Sequence, residues 1–342
     1  MPQPLKFAAI GIDHGHIFGM ADGMLAAGAE FAGWWSAADS PQQAQMRARF
    51  PDVLQATEME QLLDDPSIAL VLTASVPDLR AEHAILAMEA GKDVMADKPG
   101  CTSRAQLDAL RGCVARTGRI WSVNFSERLR VASAAKAGEL VQAGAIGEVV
   151  NIVGLGPHRL RAATRPDWFF ERPRYGGILV DIAAHQIDQF LHFTGSATAE
   201  VTMASVANRS CPEHPGLQDF GELALRSGHA TGYARVDWLT PDGLPVWGDG
   251  RLTILGTEGY VELRKYIDLG HGTQGDNLFL VTRDRCERVD CRGTELPYSA
   301  ALIADIRDRS ETAMSQAHAF EVTTLALEAQ ALAEKGTRWE GA

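Results

Sequence analysis

The chain has 342 residues, 46% hydrophobic and 22% charged, a balance that fits globular domains and excludes disordered or fibrous classes. A formal net charge of -12 leaves no basic footprint for a phosphate backbone, so nucleic acid is excluded as a partner; no run approaches the roughly 20 apolar residues of a membrane span. Five cysteines (Cys101, Cys113, Cys211, Cys286, Cys291) do not make a disulfide framework, and Cys286 with Cys291 lacks a second pair to complete a metal site. They read as ordinary thiols, and with no cleavage pattern behind the first apolar run the expected location is a reducing cytoplasm.

In chain order, LKFAAI, EFAGWW, IALVLTA, DVMA and RIWSVN are strand candidates through residue 124. Segments with helical spacing separate them, as in Ile17, Met20 and Met24 or Ala81, Ile85 and Met88, which is the pattern of a parallel sheet with crossover helices. Ser103 and Gln106 have capping-box spacing for a helix leading to Arg116. This half predicts a doubly wound Rossmann layer, residues 1–124.

After Asn124 a helix over Ala132–Gln142, the strand EVVNIVGL and a further helix precede TAEVTMASV, FGELAL, ATGYARVDW, RLTIL, YVEL, LFLVT and CERVDC. These short runs, parted by Gly, Asp and Pro, predict a large, mainly antiparallel sheet in a second α/β domain, residues 125–342. A last helix runs to Lys335 with Val322, Leu325, Ala329 and Leu332 on one face and Gly336 placed to end it; it is expected to pack back on the first domain. No internal repeat or low-complexity linker is present.

The stretch GIDHGHIFG after the first strand is the candidate nucleotide turn. In G-x-G-x-x-G turns the glycines let the backbone approach a pyrophosphate at a helix N-terminus. Here Gly11, Asp13 and His16 hold those positions. Gly15 and Gly19 add room nearby, while His14 and His16 offer hydrogen-bond donors to phosphate. Where an acid would hold the adenosine ribose, the second strand ends in Ser36, with Asp39 beyond it and no Arg for a 2′-phosphate; NAD and NADP both remain open. Lys98, in GKDVMADKPG, follows a predicted buried strand at the edge where open α/β sheets bind ligands, placed to polarise a substrate oxygen. In RYGGILVDIAAHQIDQFLHFTG, Asp181 and His185 lie four apart, so on a helix the carboxylate orients the imidazole; Asp188 and His192 repeat the spacing.

The glycine turn, AEHAILAMEAGKDVMADKP, GAIGEV and GGILVDIAAHQID, in this order, resemble the glucose-fructose oxidoreductase, inositol dehydrogenase and MocA (Gfo/Idh/MocA) family over nearly the whole chain. The resemblance implies a Rossmann domain joined to an α/β domain whose open sheet faces the nicotinamide and often packs on another subunit, giving a dimer or tetramer. It matches Lys98 to the lysine of an E-K-P signature, with Asp97 in place of Glu, and Asp181 and His185 to a D-x-x-x-H helix. It implies an NAD(P)-dependent dehydrogenase acting on a secondary alcohol. In that reaction His185 is the general base, Lys98 stabilises charge on the substrate oxygen and Asp181 positions the imidazole. His158, Arg159, Arg165, Trp168 and Tyr175, between the first strand of the second domain and this helix, offer donors and stacking faces suited to a sugar, cyclitol or sugar acid.

Two other classes fit parts of the pattern. His14 and His16 also look like the His-x-His that opens a metal-dependent amidohydrolase barrel, with Lys98 bridging metals, although a barrel would continue strand-helix alternation to its end. A dinucleotide sensor without turnover is the other, since a fold need not keep its chemistry.

Overall fold

The computed structural model describes residues 3–37 and 40–336. It divides into two compact units, one of the residues through Asn124 with Pro297–Thr323, the other of Phe125–Leu296 with the residues from Thr324 onward.

The first unit alternates β1 (Lys6–Ile10), α1 (His16–Ala26), β2 (Glu30–Trp35), α2 (Pro41–Arg49), β3 (Leu54–Gln55), α3 (Glu60–Leu63), β4 (Ile68–Thr73), α4 (Arg80–Glu89), β5 (Asp93–Asp97), α5 (Arg104–Thr117) and β6 (Trp121–Asn124). All strand pairs are parallel, in the order β3-β2-β1-β4-β5-β6. That order reverses between β1 and β4, which opens a crevice beyond the carboxyl ends of these strands. Phe7, Ile10, Leu70, Leu72 and Val94 are fully buried, as expected for central strands covered on both faces. The Ser103 cap forms, its hydroxyl accepting from the Gln106 N–H at 3.3 Å. The reciprocal half of the capping box does not: Gln106 Oε1 instead accepts from the Thr102 N–H at 2.9 Å and its amide donates to the Asp78 carbonyl at 2.6 Å.

The second unit begins with α6 (Ser126–Leu129), α7 (Ala132–Gln142), β7 (Val149–Pro157), α8 (Arg172–Tyr175), α9 (Ile178–Asp181) and α10 (Ala184–Thr194). Seven strands follow: β8 (Glu200–Ala207), β9 (Phe220–Arg226), β10 (Thr231–Asp237), β11 (Arg251–Gly256), β12 (Gly259–Arg264), β13 (Asn277–Thr282) and β14 (Cys286–Val289). Together with β7 they form one sheet of order β14-β13-β12-β11-β7-β10-β9-β8, antiparallel except where β7 runs parallel to β10. Strict alternation of buried and half-buried residues along β9 shows a sheet with one covered face. Helices α9 and α10 cover it closely. A Cβ on Gly156 would stand 2.8 Å from Gln186 Nε2, and one on Gly232 would stand 2.6 Å from the Phe190 ring, so the strands lack side chains where the helix lies.

Helices α11 (Tyr298–Asp308) and α12 (Gln316–Gly336) complete the chain. No sequence signal marks α11, which opens on Pro297 without a side-chain cap. It joins the first unit through the Tyr298 hydroxyl, 2.7 Å from Ser122 Oγ, while Arg309 just beyond it reaches Asp93 at 2.8 Å. On α12, Val322, Leu325 and Ala329 are buried as expected, but Leu332 is 42% exposed and Ala333 takes the inward position.

Candidate functional site

In the first unit the turn after β1 requires its glycine. Gly11 has φ +71°, and a Cβ there would lie 2.1 Å from Ser75 Oγ. Gly11 N donates to the Trp35 carbonyl and its own carbonyl accepts from Ala74 N, both at 2.9 Å, which ties the turn to the ends of β2 and β4. Asp13 continues the tie by accepting from Val76 N at 3.3 Å, and burial raises its carboxyl pKa. Gly15 precedes α1, and a Cβ on it would meet open space.

His14 and His16 lean on Asp97, which is fully buried at the end of β5. His16 Nδ1 is 2.9 Å from Asp97 Oδ1, and Arg80 Nη2 is 3.1 Å from Oδ2. Burial alone would raise the Asp97 pKa; the neighbouring His16 and Arg80 more than offset it and hold the carboxyl well below the usual carboxylate range. His14 behaves oppositely. Burial and then the adjacent His16 push its pKa well below the usual histidine value, and its Nδ1 accepts from the His16 N–H at 3.3 Å. The low pKa favours the neutral ring, whose Nδ1 lies 3.4 Å from Asp97 Oδ2.

Arg80 escaped sequence reasoning. It stands at the start of α4, 1% exposed, with Nε on the Ser75 carbonyl at 2.9 Å. Its Nη1 donates to the carbonyls of Asp97 (3.3 Å), Lys98 and Pro99 (3.2 Å), so one guanidinium fastens the turn that presents Lys98. An Arg opening an otherwise alanine-rich buried face was the available signal. Lys98 itself is 4% exposed.

His14, His16 and Asp97 place three potential metal-ligand atoms within 4.8 Å of one another. The same carboxylate already carries the Arg80 guanidinium, and Lys98 follows it in sequence, so a divalent cation would meet two fixed positive charges. An anionic ligand gains from that charge. The glycine-lined start of α1, the donors on His14 and His16, and Ser36 Oγ, buried at the end of β2 without a hydrogen-bond partner among the described residues, fit a dinucleotide. Asp39, the other ribose candidate, lies outside the described residues. The open parallel sheet is also not a barrel, which removes the amidohydrolase alternative.

In the second unit Asp181 and His185 are buried, but not on one continuous helix. Asp181 ends α9 and His185 lies in the first turn of α10; between them Ala183 N reaches back five residues to the Ile178 carbonyl and His185 N three residues to Ile182. The regular four-residue geometry is therefore broken at Ile182 and Ala183. Phe125 meets the His185 ring edge-on, with centroids 6.4 Å apart. The repeat of the spacing has a different use: both oxygens of Asp188 accept from Arg128 at 2.7 Å, and His192 is exposed.

The expected substrate residues divide in the same way. Tyr175 is 2% exposed, its hydroxyl donating to the Gly216 carbonyl at 3.2 Å and accepting from Gln218 N at 2.9 Å, so it braces a loop. Arg159 Nη2 donates to the carbonyls of Pro241 (2.9 Å) and Leu244 and so braces another. Arg165 lies over the rings of Phe169 (4.5 Å) and Trp238 (5.1 Å), donates to the Leu160 carbonyl at 2.8 Å and carries the field of Asp181. His158 packs between Trp238 and Trp247, and Trp168 is half-buried beside Phe169. One buried pair was not expected from the sequence: Glu127 and Lys265, 2.8 Å apart, with Gln186 Nε2 donating to the same Glu127 oxygen at 3.1 Å.

Two family models match the chain. Residues 10–125 match the oxidoreductase family with NAD-binding Rossmann fold, and residues 134–262 match the GFO/IDH/MocA C-terminal domain. A crystal structure of a presumed oxidoreductase from Erwinia carotovora atroseptica SCRI1043 shares 48% identity and superposes with a TM-score of 0.93 over 96% of this chain and 98% of that one. Among curated proteins, scyllo-inositol 2-dehydrogenase (NADP(+)) IolW of Bacillus subtilis is 28% identical over 189 residues, 54% of this chain and 50% of that protein. Levoglucosan dehydrogenase of Pseudarthrobacter phenanthrenivorans is 31% identical over 185 residues, 53% of this chain and 46% of that protein. The chain thus spans about half the length of these curated relatives.

Proposed function

Because the chain belongs to the Gfo/Idh/MocA family of NAD-binding oxidoreductases, we propose that it moves a hydride between nicotinamide and a secondary alcohol or ketone of a sugar, cyclitol or sugar acid. The observation that carries this reading is the built turn at the end of β5, where Arg80 and Asp97 hold a buried Lys98 at the ligand-binding edge of the nucleotide unit. When bound, NAD or NADP supplies the hydride acceptor or donor. Gly11, Asp13, His14, Gly15, His16 and Ser36 form the cofactor turn. Lys98 stabilises charge on the substrate oxygen. His185 takes the hydroxyl proton, and Asp181 positions the imidazole or shares in the proton relay. His158 and Trp168 are the substrate-facing candidates, since Arg159, Arg165 and Tyr175 spend donors on the protein's own carbonyls.

Assembly into a homo-oligomer through the second sheet has support in its uncovered face. Val153, Leu155, Phe220, Tyr233 and Phe279 are half-buried there, and Leu255 and Tyr260 are exposed. Among the described residues no helix is long and apolar enough to cross a membrane. The five cysteines are unpaired, and burial pushes the Cys101 thiol up to about 12, which suits a reducing compartment and supports a cytoplasmic location.

The test is a panel of sugars, inositols and sugar acids with NAD and NADP, followed at the reduced-nicotinamide absorbance. Turnover should appear with at least one pair. Lys98→Ala and His185→Ala should each lower kcat/KM by about 10²-fold or more. Dinucleotide binding without turnover across the panel would replace the dehydrogenase by a sensor.

A further inference from the structure

Glu127 and Lys265 form an ion pair with both side chains nearly excluded from solvent, at 3% and 1% exposure. Such a pair is poor evidence for stability, because desolvating two charges costs several kcal/mol that their attraction only partly recovers. This one is also incompletely satisfied. Lys265 Nζ (2.8 Å) and Gln186 Nε2 (3.1 Å) both donate to Glu127 Oε2, while Oε1 is buried without a hydrogen-bond partner. Hydrophobic residues of equal volume would cost the fold less. The location supplies another reason for the charges.

Helix α6 is laid on α10 by three consecutive contacts: Phe125 on the His185 ring, Glu127 on Gln186, and Arg128 on Asp188. Glu127 is thereby fixed beside the residue that follows His185 in sequence. Burial raises the Glu127 pKa, but Lys265, then His185, then His158 more than offset it and bring it down to about 2.

We propose that Glu127 is a positioning residue for proton transfer at His185, and that the balance of the buried Glu127–Lys265 charges sets how readily the imidazole takes a proton. This rests on the role given above to His185 as the proton acceptor. The groups facing the pair are Arg128 from α6, already neutralised by Asp188, His185 from α10, His158 after β7, and the Tyr266 phenol, whose pKa is raised by burial and then by Glu127 and Asp276. Asp181, from α9, also acts on Arg165 and Tyr175 and stays unchanged in every variant below. Glu127 favours the imidazolium and Lys265 opposes it, so removing each shifts His185 in opposite directions.

The experiment follows the His185 titration directly, by NMR of histidine-labelled full-length protein without substrate, with His185→Gln assigning the resonance. Glu127→Gln should move the titration to lower pH by about one unit and Lys265→Met to higher pH by a similar amount, while the double variant returns near the starting value. Where turnover is measurable, the limb of kcat/KM governed by the base should move likewise. A merely structural pair predicts no shift, or shifts of one sign, and either outcome overturns the proposal. Should a single variant fail to fold, Glu127→Asp applies the same test, with a smaller shift to lower pH expected and an unchanged titration counting against the proposal. The two failures are distinguishable: absence of turnover across the panel would strike the dehydrogenase reading, whereas turnover with an unmoved His185 titration would strike this proposal alone.

Discussion

Replacing Arg80 by Met keeps much of the aliphatic volume and deletes the guanidinium that fastens the Lys98 turn. The deleted group makes one ion pair to a fully buried carboxylate and reaches four carbonyls, those of Ser75, Asp97, Lys98 and Pro99. Breaking a buried pair from one side costs about 3–5 kcal/mol, because the remaining charge stays desolvated. Each orphaned carbonyl adds up to about 1–3 kcal/mol, but water entering the emptied space recovers much of that, so about 4 kcal/mol is the expected total. At about 2–4 °C per kcal/mol the transition of the first unit should fall by roughly 8–16 °C. Fluorescence of Trp34, Trp35 and Trp121 reports that unit during thermal or urea unfolding. The deficit also has a pH signature. Asp97 has a depressed folded pKa, so its contribution to stability is present above the ordinary carboxylate value of 3.8 and is lost as pH falls through the folded value. Without Arg80 the depression shrinks, so the gap between variant and wild type should be widest at neutral pH and narrow on acidification. Arg80→Lys, which restores charge without the fork, should recover only part of the loss. A Met variant within about 1 kcal/mol of wild type, or a gap that widens in acid, would refute the reasoning.

Gly11→Ala places a methyl 2.1 Å from Ser75 Oγ at φ +71°. It should destabilise the first unit by about 1–3 kcal/mol and weaken NADH binding, read by thermal shift with and without NADH and by quenching of tryptophan fluorescence. Tyr175→Phe removes the hydroxyl bonds to Gly216 and Gln218; a loss of about 1–2 kcal/mol in urea unfolding with little change in KM is expected, whereas a large KM change would restore Tyr175 to the substrate site. Leu255→Asp with Tyr260→Asp puts two carboxylates on the uncovered sheet face and should convert an oligomer to monomer by light scattering with turnover assays alongside; an unchanged mass would direct the interface elsewhere.

The two sheets were legible because burial writes itself into strands in two ways. Parallel strands such as IALVLTA are apolar throughout, and half-covered ones such as FGELAL alternate. Helix α11 was not legible, since neither a side-chain cap nor a clean apolar stripe marks a helix whose inward face includes Asp305. Lys98, Asp181 and His185 stood out by motif, but the break at Ile182 and Ala183 did not, because spacing assumes an unbroken helix. Arg80, Glu127 and Lys265 stayed hidden for a shared reason. A buried charge has meaning only beside its partner, and each partner here lies 17 residues away (Arg80 to the Asp97 carbonyl) or 138 away (Lys265 to Glu127).

The glycines beneath α10 carry a lesson for anyone wishing to retarget this protein. Gly154, Gly156 and Gly232 form a bare floor on which Gln186 and Phe190 rest, so a bulkier residue at any of them lifts the very segment that bears His185. Libraries aimed at new substrates should leave that floor untouched, and natural diversification at those three positions should occur only in step with residues 186 and 190.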